Sequence, residues 1–494
     1  MFGRRWGRNS FLSPRGIIMS ESISEMILPG TYIEVRAEGL IGVGGIATGN
    51  IGIVGTAAKG KKNTVYAIGN YAEALDFFGE PDDWATENKL TLVRTAQMAF
   101  QGGGKNVFAV RIANGDPVKA AGIIHSVNAA TPADFTMTAK EAGTYGNQIS
   151  YSVTEVTLKG GGKTYVLALK YRNIKEVYEG LNIGEIHAQI KAESMLVDVS
   201  DAVNAGDALR PATSRPLNKN ADGGDGTAGL DHANVSGVDL EEGLAVLENE
   251  PVNILLVGGF DVKSGGDKVG AHLERTENVG KERIAILGAS ASTASTVETD
   301  ADAVNDDRIV LVAPGMKTDD PFNKKEVTYP PAYLAAIIGG KLSTLAPHIS
   351  MTNKDVSIKD LSEQYNETVT KKLLNKGVLL VRTKFGRQIV RAITSQDGPF
   401  KQISIRRVVD YAKAGVRKGA DPYIGRLNNA RVRAALKATL DGFLSQMLMD
   451  EMLVGYELDV TATRSQEING IAAVTMTLKP TFSIDFIRVT MNLE

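Results

Sequence analysis

The chain has 494 residues, more than one hydrophobic core usually organises, so its length predicts several globular domains. Lys and Arg number 55 against 57 Asp and Glu, and the net charge of −2 excludes a global attraction to nucleic acid or an anionic membrane. The absence of cysteine excludes disulfides, thiolate catalysis and cysteine-ligated metals.

The first 18 residues are rich in arginine but contain no apolar run long enough for a secretory signal. They predict either a basic arm or residues that precede a start at Met19. A strand pattern then begins at Tyr32, directly after the turn Pro29-Gly30. We expect residues 1–35 to form an N-terminal arm.

Strand and helix patterns alternate over residues 36–116, which predicts the first part of an α/β core. Residues 117–232 change to β-type stretches separated by glycine-rich turns, and they predict an inserted β-rich domain. The alternation resumes over residues 233–385 as the second part of the core. Its fully apolar runs, such as Ile254–Val257, are typical of strands covered on both faces.

Residues 386–494 predict a C-terminal α/β domain with two helices followed by two β segments. The last segment, residues 481–493, is apolar at alternate positions, with a change of phase after Phe486 that predicts a bulge. An apolar strand so close to the C-terminus is either part of its own sheet or available to a neighbouring chain. We expect exchange of both terminal strands between chains, through Tyr32, Ile33, Val35, Ile487, Val489, Met491 and Leu493.

The stretch Gly55–Lys62 has the glycine spacing of a phosphate-binding loop, so a nucleotide-binding α/β enzyme is the main alternative reading. Lys62 stands where such a loop needs Ser or Thr, and the residues after it are β-rich rather than helical. Gly42–Ala47 fits a loosened dinucleotide fingerprint but opens no predicted helix. We therefore expect residues 55–62 to form an exposed turn without a nucleotide.

The chain shows no motif for catalysis or metal binding. Its five histidines are scattered singly, and no G-x-S-x-G or H-E-x-x-H sequence is present. The Asp-Gly loop at residues 222–226 lacks the alternating oxygen ligands of a calcium site. We expect no catalytic residues, no metal site and no cofactor.

Basic residues concentrate between residues 404 and 433, whereas residues 298–307 are acidic. Such a basic run is usually a solvated helix face, and without interleaved aromatic residues it gives little support to nucleic-acid binding. Opposite patches on one chain allow copies of that chain to dock. We expect contacts with a neighbouring subunit or an acidic partner through Arg406, Arg407, Arg417, Arg426 and Arg431.

Several short motifs, taken in order along the chain, resemble the contractile tail sheath proteins of bacteriophages. No single motif is specific, and the resemblance lies in their shared order over nearly the whole sequence. It is thin in the middle domain and does not include the residues before Met19. The motifs are PGTYIE at 29–34, GIVGTAAKG at 52–60, FFGE at 77–80, AFQGGGKNVFAVRI at 99–112, AKEAGTYGNQISYSV at 139–153, GGDG at 223–226, RIVLVAPG at 308–315 and ISIRRVVDYA at 403–412.

The resemblance implies a non-enzymatic structural subunit. Sheath subunits form six-fold rings that stack helically around an inner tail tube, are linked by exchanged terminal arms, and contract to drive the tube through a cell envelope. The implied partners are further copies of the chain, the tube protein, and the baseplate and tail terminator proteins, without nucleic acid or membrane insertion. The implied location is the tail of a virion, after assembly in the host cytoplasm, and a sheath of a non-viral injection system is the second alternative.

Overall fold

The computed structural model describes residues 45–85, 89–127, 135–203, 205–320 and 324–493. These residues contain twenty strands and twelve α-helices, with a short 3₁₀ helix at Asp421–Tyr423. The strands are β1 (Ile51–Gly55), β2 (Val65–Ile68), β3 (Val107–Arg111), β4 (Ala121–Ile124), β5 (Phe135–Ala139), β6 (Ser150–Thr157), β7 (Lys163–Tyr171), β8 (Ile174–Gly180), β9 (Val197–Val199), β10 (Ala212–Pro216), β11 (Ile254–Val257), β12 (Ile284–Gly288), β13 (Ile309–Ala313), β14 (Met316–Asp319), β15 (Glu326–Tyr329), β16 (Asp360–Leu361), β17 (Val378–Thr383), β18 (Arg387–Ile389), β19 (Leu453–Thr461) and β20 (Ala473–Pro480). The helices are α1 (Tyr71–Phe78), α2 (Leu92–Gly102), α3 (Tyr145–Gln148), α4 (Ile183–Glu193), α5 (Gly237–Leu247), α6 (Val262–Asn278), α7 (Ala294–Asp302), α8 (Pro331–Ser343), α9 (Glu367–Asn375), α10 (Ile403–Ala420), α11 (Ala430–Met449) and α12 (Arg464–Ile468).

The described chain divides into two compact units. The larger unit comprises residues 45–415, 447–456 and 478–493, and the smaller one comprises Val416–Gln446 and Glu457–Thr477. The larger unit is built on an eight-stranded sheet with the order β18-β17-β13-β12-β11-β1-β3-β2. The six central strands are parallel, and an antiparallel strand lies at each edge.

Helices cover both faces of this sheet. Helices α1, α2 and α8 pack on one face, where they meet Ile51 and Ile53 of β1, whereas α5, α6, α7 and α9 pack on the face that carries Val54. Because successive side chains of a strand point to opposite faces, each strand must be apolar at every position. This explains the uninterrupted apolar runs Ile51–Val54 and Ile254–Val257, and the predicted α/β class is confirmed.

Helices α2 and α8 lie unusually close together because glycine occupies both sides of their contact. A Cβ atom placed on Gly340 of α8 would lie 2.0 Å from the carbonyl oxygen of Ala99 in α2. A Cβ atom on Gly102 of α2 would lie 2.1 Å from the carbonyl oxygen of Ile337 in α8. The two helix backbones are thus in direct contact over the centre of one sheet face.

The segment between β3 and α5 forms two antiparallel sheets with a hydrophobic core of their own. Strands β10, β6, β7 and β8 make a four-stranded sheet, and β4, β5 and β9 make a three-stranded one. Their shared core includes Phe135, Tyr151, Leu167 and Ile186 of α4. This β-rich segment is the one expected as an insertion, and the predicted domain boundaries themselves remain predictions.

The smaller unit has a compact apolar centre around Leu436, Leu440 and Val460. The hydroxyl of Tyr423 donates a hydrogen bond to the carbonyl oxygen of Ala435, 3.0 Å away, and so fastens the 3₁₀ turn to α11. Strands β19 and β20 form a sheet of two strands. Among the described residues no third strand joins them, and a sheet of two strands can accept a further strand at an edge.

Candidate inter-subunit surfaces

The C-terminal segment after β20 contains no strand within this single chain. The predicted strand over residues 481–493 is therefore wrong for the chain alone, because the described residues supply no partner strand beside it. The side chains of Ile487, Val489, Met491 and Leu493 are between 72% and 99% exposed. An apolar segment this exposed loses the stabilisation that burial would give it, and a second chain is one way to recover it. The expected partner segment, with Tyr32, Ile33 and Val35, lies outside the described residues.

A polar clamp holds the beginning of this segment to the larger unit. The side-chain amide of Gln402 pairs with the backbone of Ser483 as a neighbouring strand would: its Nε2 donates to the carbonyl oxygen at 3.2 Å, and its Oε1 accepts from the N–H at 3.2 Å. The carboxylate of Asp485 accepts hydrogen bonds from Arg391 Nε at 2.7 Å and Gln402 Nε2 at 3.1 Å. Thr352 Oγ1 lies 3.5 Å from the other oxygen of this carboxylate.

Phe486 directly follows these polar contacts, and its ring centroid lies 5.2 Å from the guanidinium carbon of Arg391. The side chain of Asp485 is only 6% exposed, whereas the apolar side chains after it project into solvent. We refer to Arg391, Gln402, Ser483 and Asp485 as the clamp, and to residues 487–493 as the arm. The clamp was not recognised in the sequence, because its hydrogen bonds join residues that are more than 80 positions apart.

Arg406 and Arg407 do not lie on a solvated helix face, so the sequence-based expectation for these two residues is wrong. Arg406 Nη1 lies 2.8 Å from Asp307 and its Nη2 lies 2.8 Å from Asp410. Arg407 donates to the backbone carbonyl oxygens of Thr48 at 3.1 Å and Leu345 at 3.0 Å. Both side chains are buried, so they fasten the start of α10 inside the chain rather than face a neighbour.

A further buried arginine, Arg308, completes this attachment of α10. Its guanidinium binds Glu277 of α6 at 2.7 Å and Asp410 of α10 at 2.9 Å. Lys413 also reaches Glu277, at 2.7 Å. Hydrogen bonds from Arg308 and Lys413 lower the pKa of Glu277 to about 2, so this carboxylate stays ionised at any physiological pH.

The acidic stretch 298–307 is also largely neutralised inside the chain. Lys372 of α9 pairs with Glu298, and Lys376 directly after the helix pairs with Asp302, each at 2.7 Å. Asp300 accepts hydrogen bonds from Ser290, and Asp307 binds Arg406. The acidic stretch therefore does not form the free counter-patch that the sequence suggested.

The other three arginines of the predicted basic surface lie in the smaller unit and are exposed: Arg417, Arg426 and Arg431. The guanidinium of Arg426 stacks on Tyr423 and donates to the carbonyl oxygen of Pro422 at 3.0 Å. Exposed apolar residues accompany these charges, among them Ile424 and Leu427. The predicted contacts of these three arginines with a neighbouring subunit stay a prediction.

The loop of residues 55–62 is mostly buried, so the expectation of an exposed turn is wrong. Arg111, which is fully buried, donates to the carbonyl oxygens of Gly60 and Ala142, both at 2.7 Å, and lies 3.3 Å from Asp231. Asp231 in turn accepts from the backbone N–H of Thr144 at 2.7 Å. The loop is thus the point at which the β-rich segment is fastened to β1.

At the carboxyl ends of β1 and β11, where doubly wound sheets commonly hold ligands, a cavity of about 390 Å³ remains, with Thr56, Asp261 and Tyr333 among its lining residues. A Cβ atom on Gly259 would lie 2.6 Å from the methyl group of Thr91, so the glycine allows the loop after β11 to pack closely against the start of α2. The N-terminus of α6 is capped by the Asp261 carboxylate, which accepts from the N–H of Ser264 at 2.8 Å. A carboxylate at this position would repel a phosphate.

Among the residues described, no three His, Asp or Glu side chains are grouped as metal ligands would be. Within the same ranges, none of the helices has the length and apolar character required to cross a bilayer.

Comparisons with known proteins agree with this architecture. Residues 395–494 match the family described as the phage tail sheath C-terminal domain. A sheath tail protein of Desulfitobacterium hafniense aligns with 92% of this chain and 100% of its own at a TM-score of 0.64 and 16% identity. A sheath tail protein of Listeria innocua aligns with 89% of this chain and 93% of its own, at a TM-score of 0.61 and 13% identity.

Assembled particles give similar alignments. The sheath of an extracellular contractile injection system in its contracted state covers 94% of this chain and 98% of its own, with a TM-score of 0.55 and 12% identity. A search of curated protein sequences gave no match. Over residues 395–494 the chain is therefore similar to the phage tail sheath C-terminal domain, and the whole chain has the fold of tail sheath proteins.

Proposed function

We propose that this protein is the structural subunit of a contractile tail sheath, which polymerises helically around an inner tube and contracts to drive that tube through a cell envelope. The observation that carries the proposal is the arm, a row of exposed apolar side chains that begins at a fixed clamp. The family match at residues 395–494 and the shared fold with contracted sheaths support the same function.

The arm supplies the contact between subunits. Ile487, Val489, Met491 and Leu493 alternate along the chain and would share one face of a strand. The sheet β19-β20, which no third strand joins within the described ranges, is where such a strand from a neighbouring copy would pair. Pairing of about six residues would form several backbone hydrogen bonds at about 0.5–1.5 kcal/mol each, in addition to apolar burial. The corresponding N-terminal residues, Tyr32, Ile33 and Val35, are proposed to act in the same way.

The exposed arginines of the smaller unit are proposed to contact an acidic surface of a neighbouring subunit or of the tube protein. Arg417, Arg426 and Arg431 remain in this proposal, whereas the buried Arg406 and Arg407 do not. We also propose that copies of this chain form hexameric rings. Baseplate and tail terminator proteins are further proposed partners of these rings. No catalytic step is part of the proposal, since the Asp261 carboxylate occupies the N-terminus of α6, where a nucleotide phosphate would bind.

The particle is proposed to be a phage tail, assembled in the cytoplasm of the host. The similar structures include sheaths of injection systems as well as sheath tail proteins of bacterial genomes, so an injection system is the second candidate. The genes that flank the coding sequence distinguish the two, because a phage also encodes a capsid and a packaging enzyme.

Electron microscopy of the purified protein at increasing concentration tests the function. We expect stacked rings or tubes from the full chain, and only single subunits from a chain that ends after Phe486. A matched pair of variants tests the arm more finely: Val489→Ser with Met491→Ser removes apolar side chains, whereas Thr490→Ser with Asn492→Ser changes the alternate positions. Tubes of normal length from the first variant would refute the proposed role of the arm.

A further inference from the structure

We propose that Asp485 is a positioning residue for subunit assembly: its carboxylate fixes the direction in which the arm leaves the subunit. The inference rests on the proposed function, because it concerns how the arm reaches its partner. It adds a residue whose hydrogen bonds in the structure go to groups of its own chain. Asp485 acts through Arg391 and Gln402, which belong to the same chain.

The first step of the argument is the directional character of the clamp. Gln402 binds both backbone groups of Ser483, and a second pair of contacts joins Asp485 to Arg391 and Gln402 two residues later. The Ser483 hydroxyl also donates to Gln402 Oε1 at 3.1 Å, so the side chains of Ser483 and Asp485, two residues apart, both reach Gln402 on the same side of the segment. Two anchors on one side fix the rotation of the segment about its own axis as well as its position. That rotation decides which way the alternating apolar side chains of the arm face.

The second step is the contrast in burial at the clamp boundary. The Asp485 side chain is 6% exposed and Arg391 is 23% exposed, so their 2.7 Å contact is shielded from most solvent. Ile487, only two residues further on, is 82% exposed. A shielded ion pair keeps its geometry better than a surface pair, whose contribution is small and screened by salt. The change from a fixed to an open chain therefore occurs between Asp485 and Ile487.

The third step is the rigidity of the surface that carries the clamp. Gln402 directly precedes α10, and its carbonyl oxygen accepts from the N–H of Ile405 at 3.0 Å in the first turn. The next turn is fastened by the buried Arg406 and Arg407. An anchor on a rigid element orients what it holds more accurately than an anchor on a loop.

Loss of the clamp should weaken assembly without unfolding the subunit. A segment held in one conformation before binding does not lose that conformational entropy on association, whereas a freed segment does. Freeing residues 483–486 should therefore raise the concentration at which tubes form by at least about tenfold. The fold of the subunit should persist, because the arm adds nothing to the hydrophobic cores.

Three variants of the full chain test the inference: Asp485→Ala, Gln402→Ala and the control Asp201→Ala. Asp201 likewise pairs with a cation, Lys191, at 3.4 Å, but it is 98% exposed and lies in the β-rich segment. The measurements are the concentration at which tubes appear, the urea midpoint of the dispersed subunit, and amide hydrogen exchange of residues 481–493. Gln402→Ala keeps the Arg391–Asp485 pair and so tests the other half of the clamp.

We expect Asp485→Ala and Gln402→Ala to raise the assembly concentration about tenfold or more and to speed exchange at residues 483–486, with an unchanged urea midpoint. Asp201→Ala should match the unaltered chain in all three measurements. If Asp485→Ala assembled normally while the chain that ends after Phe486 did not, the positioning role would be refuted and the role of the arm would stand. If Asp485→Ala and the chain that ends after Phe486 both assembled normally, the proposed role of the arm in assembly would be refuted. A lowered urea midpoint that accounts for the assembly defect would also overturn the inference, since it would give Asp485 a role in folding.

Discussion

The contact between α2 and α8 makes a specific prediction for Gly340→Ala. A Cβ atom at this position would lie 2.0 Å from the carbonyl oxygen of Ala99 and 2.9 Å from its carbon. Separations under 3.0 Å are essentially never observed for real Cβ atoms, so the helices must move apart by about 1 Å. The obstacle is backbone, and no side-chain rotation can relieve it. Both helices cover the same face of the central sheet, so the shift disturbs packing along both of them.

The magnitude follows from two opposing effects. Overpacking of a well-filled interior costs about 1–3 kcal/mol, and a backbone obstacle places this site in the upper part of that range. Replacing glycine by alanine within a helix raises the free energy of unfolding by about 0.5–1 kcal/mol. We therefore expect the free energy of unfolding to fall by about 2 kcal/mol. Urea denaturation of the dispersed subunit, followed by circular dichroism, measures this change.

A matched control is available in α6. At Gly270 the nearest atom to an added Cβ would be Ile309 Cδ1, 4.0 Å away, so Gly270→Ala adds a methyl group without a clash. This variant should be more stable than the unaltered chain by about 0.5–1 kcal/mol. The reasoning would be refuted if Gly340→Ala were as stable as Gly270→Ala, since space at residue 340 would then not be limiting.

Two further predictions concern buried charges. Arg111→Met should lower the free energy of unfolding by about 3–5 kcal/mol in urea denaturation, because it leaves Asp231 buried without its cation. The control is Lys61→Met, which should change this free energy little because Lys61 is exposed. Equal effects of the two substitutions would contradict the role of Arg111. Burial and the adjacent Arg283 lower the pKa of His272 to about 3, whereas the pKa in the unfolded chain is about 6.5. Between pH 3 and pH 6.5, His272 is therefore protonated in the unfolded chain but not in the folded chain. Stability should therefore decrease as the pH falls from 6.5 towards 3, by about 2 kcal/mol at pH 5, and His272→Gln should remove this part of the dependence. Parallel pH profiles for the two proteins would show that His272 does not contribute.

Local patterns were sufficient to predict most of the central sheet. The strand Ile254–Val257 was predicted correctly, because burial on both faces leaves an uninterrupted apolar run in the sequence. Helix α9 was not predicted, since its only fully buried residue is Leu373 and its apolar face is narrow. The order of the strands requires long-range pairing and is not encoded in any one segment.

The functional surfaces were harder to predict because they depend on charge partners far along the chain. Arg406 appears as part of a basic surface in the sequence, but Asp307 neutralises it from 99 residues away. The Asp485 clamp joins segments 94 residues apart in the same way. The apolar alternation of the arm was recognised correctly, yet a strand forms only when a partner strand is present, and the part of this chain that the structure describes provides none beside the arm.

The position of Arg111 has a mechanical consequence. The loop that it fastens leaves β1, an interior strand with β11 on one side and β3 on the other. A load applied to the β-rich segment is therefore transmitted into the middle of the sheet, where several parallel strands share it. Attachment to an edge strand would instead concentrate the load on one row of hydrogen bonds, which can break one at a time.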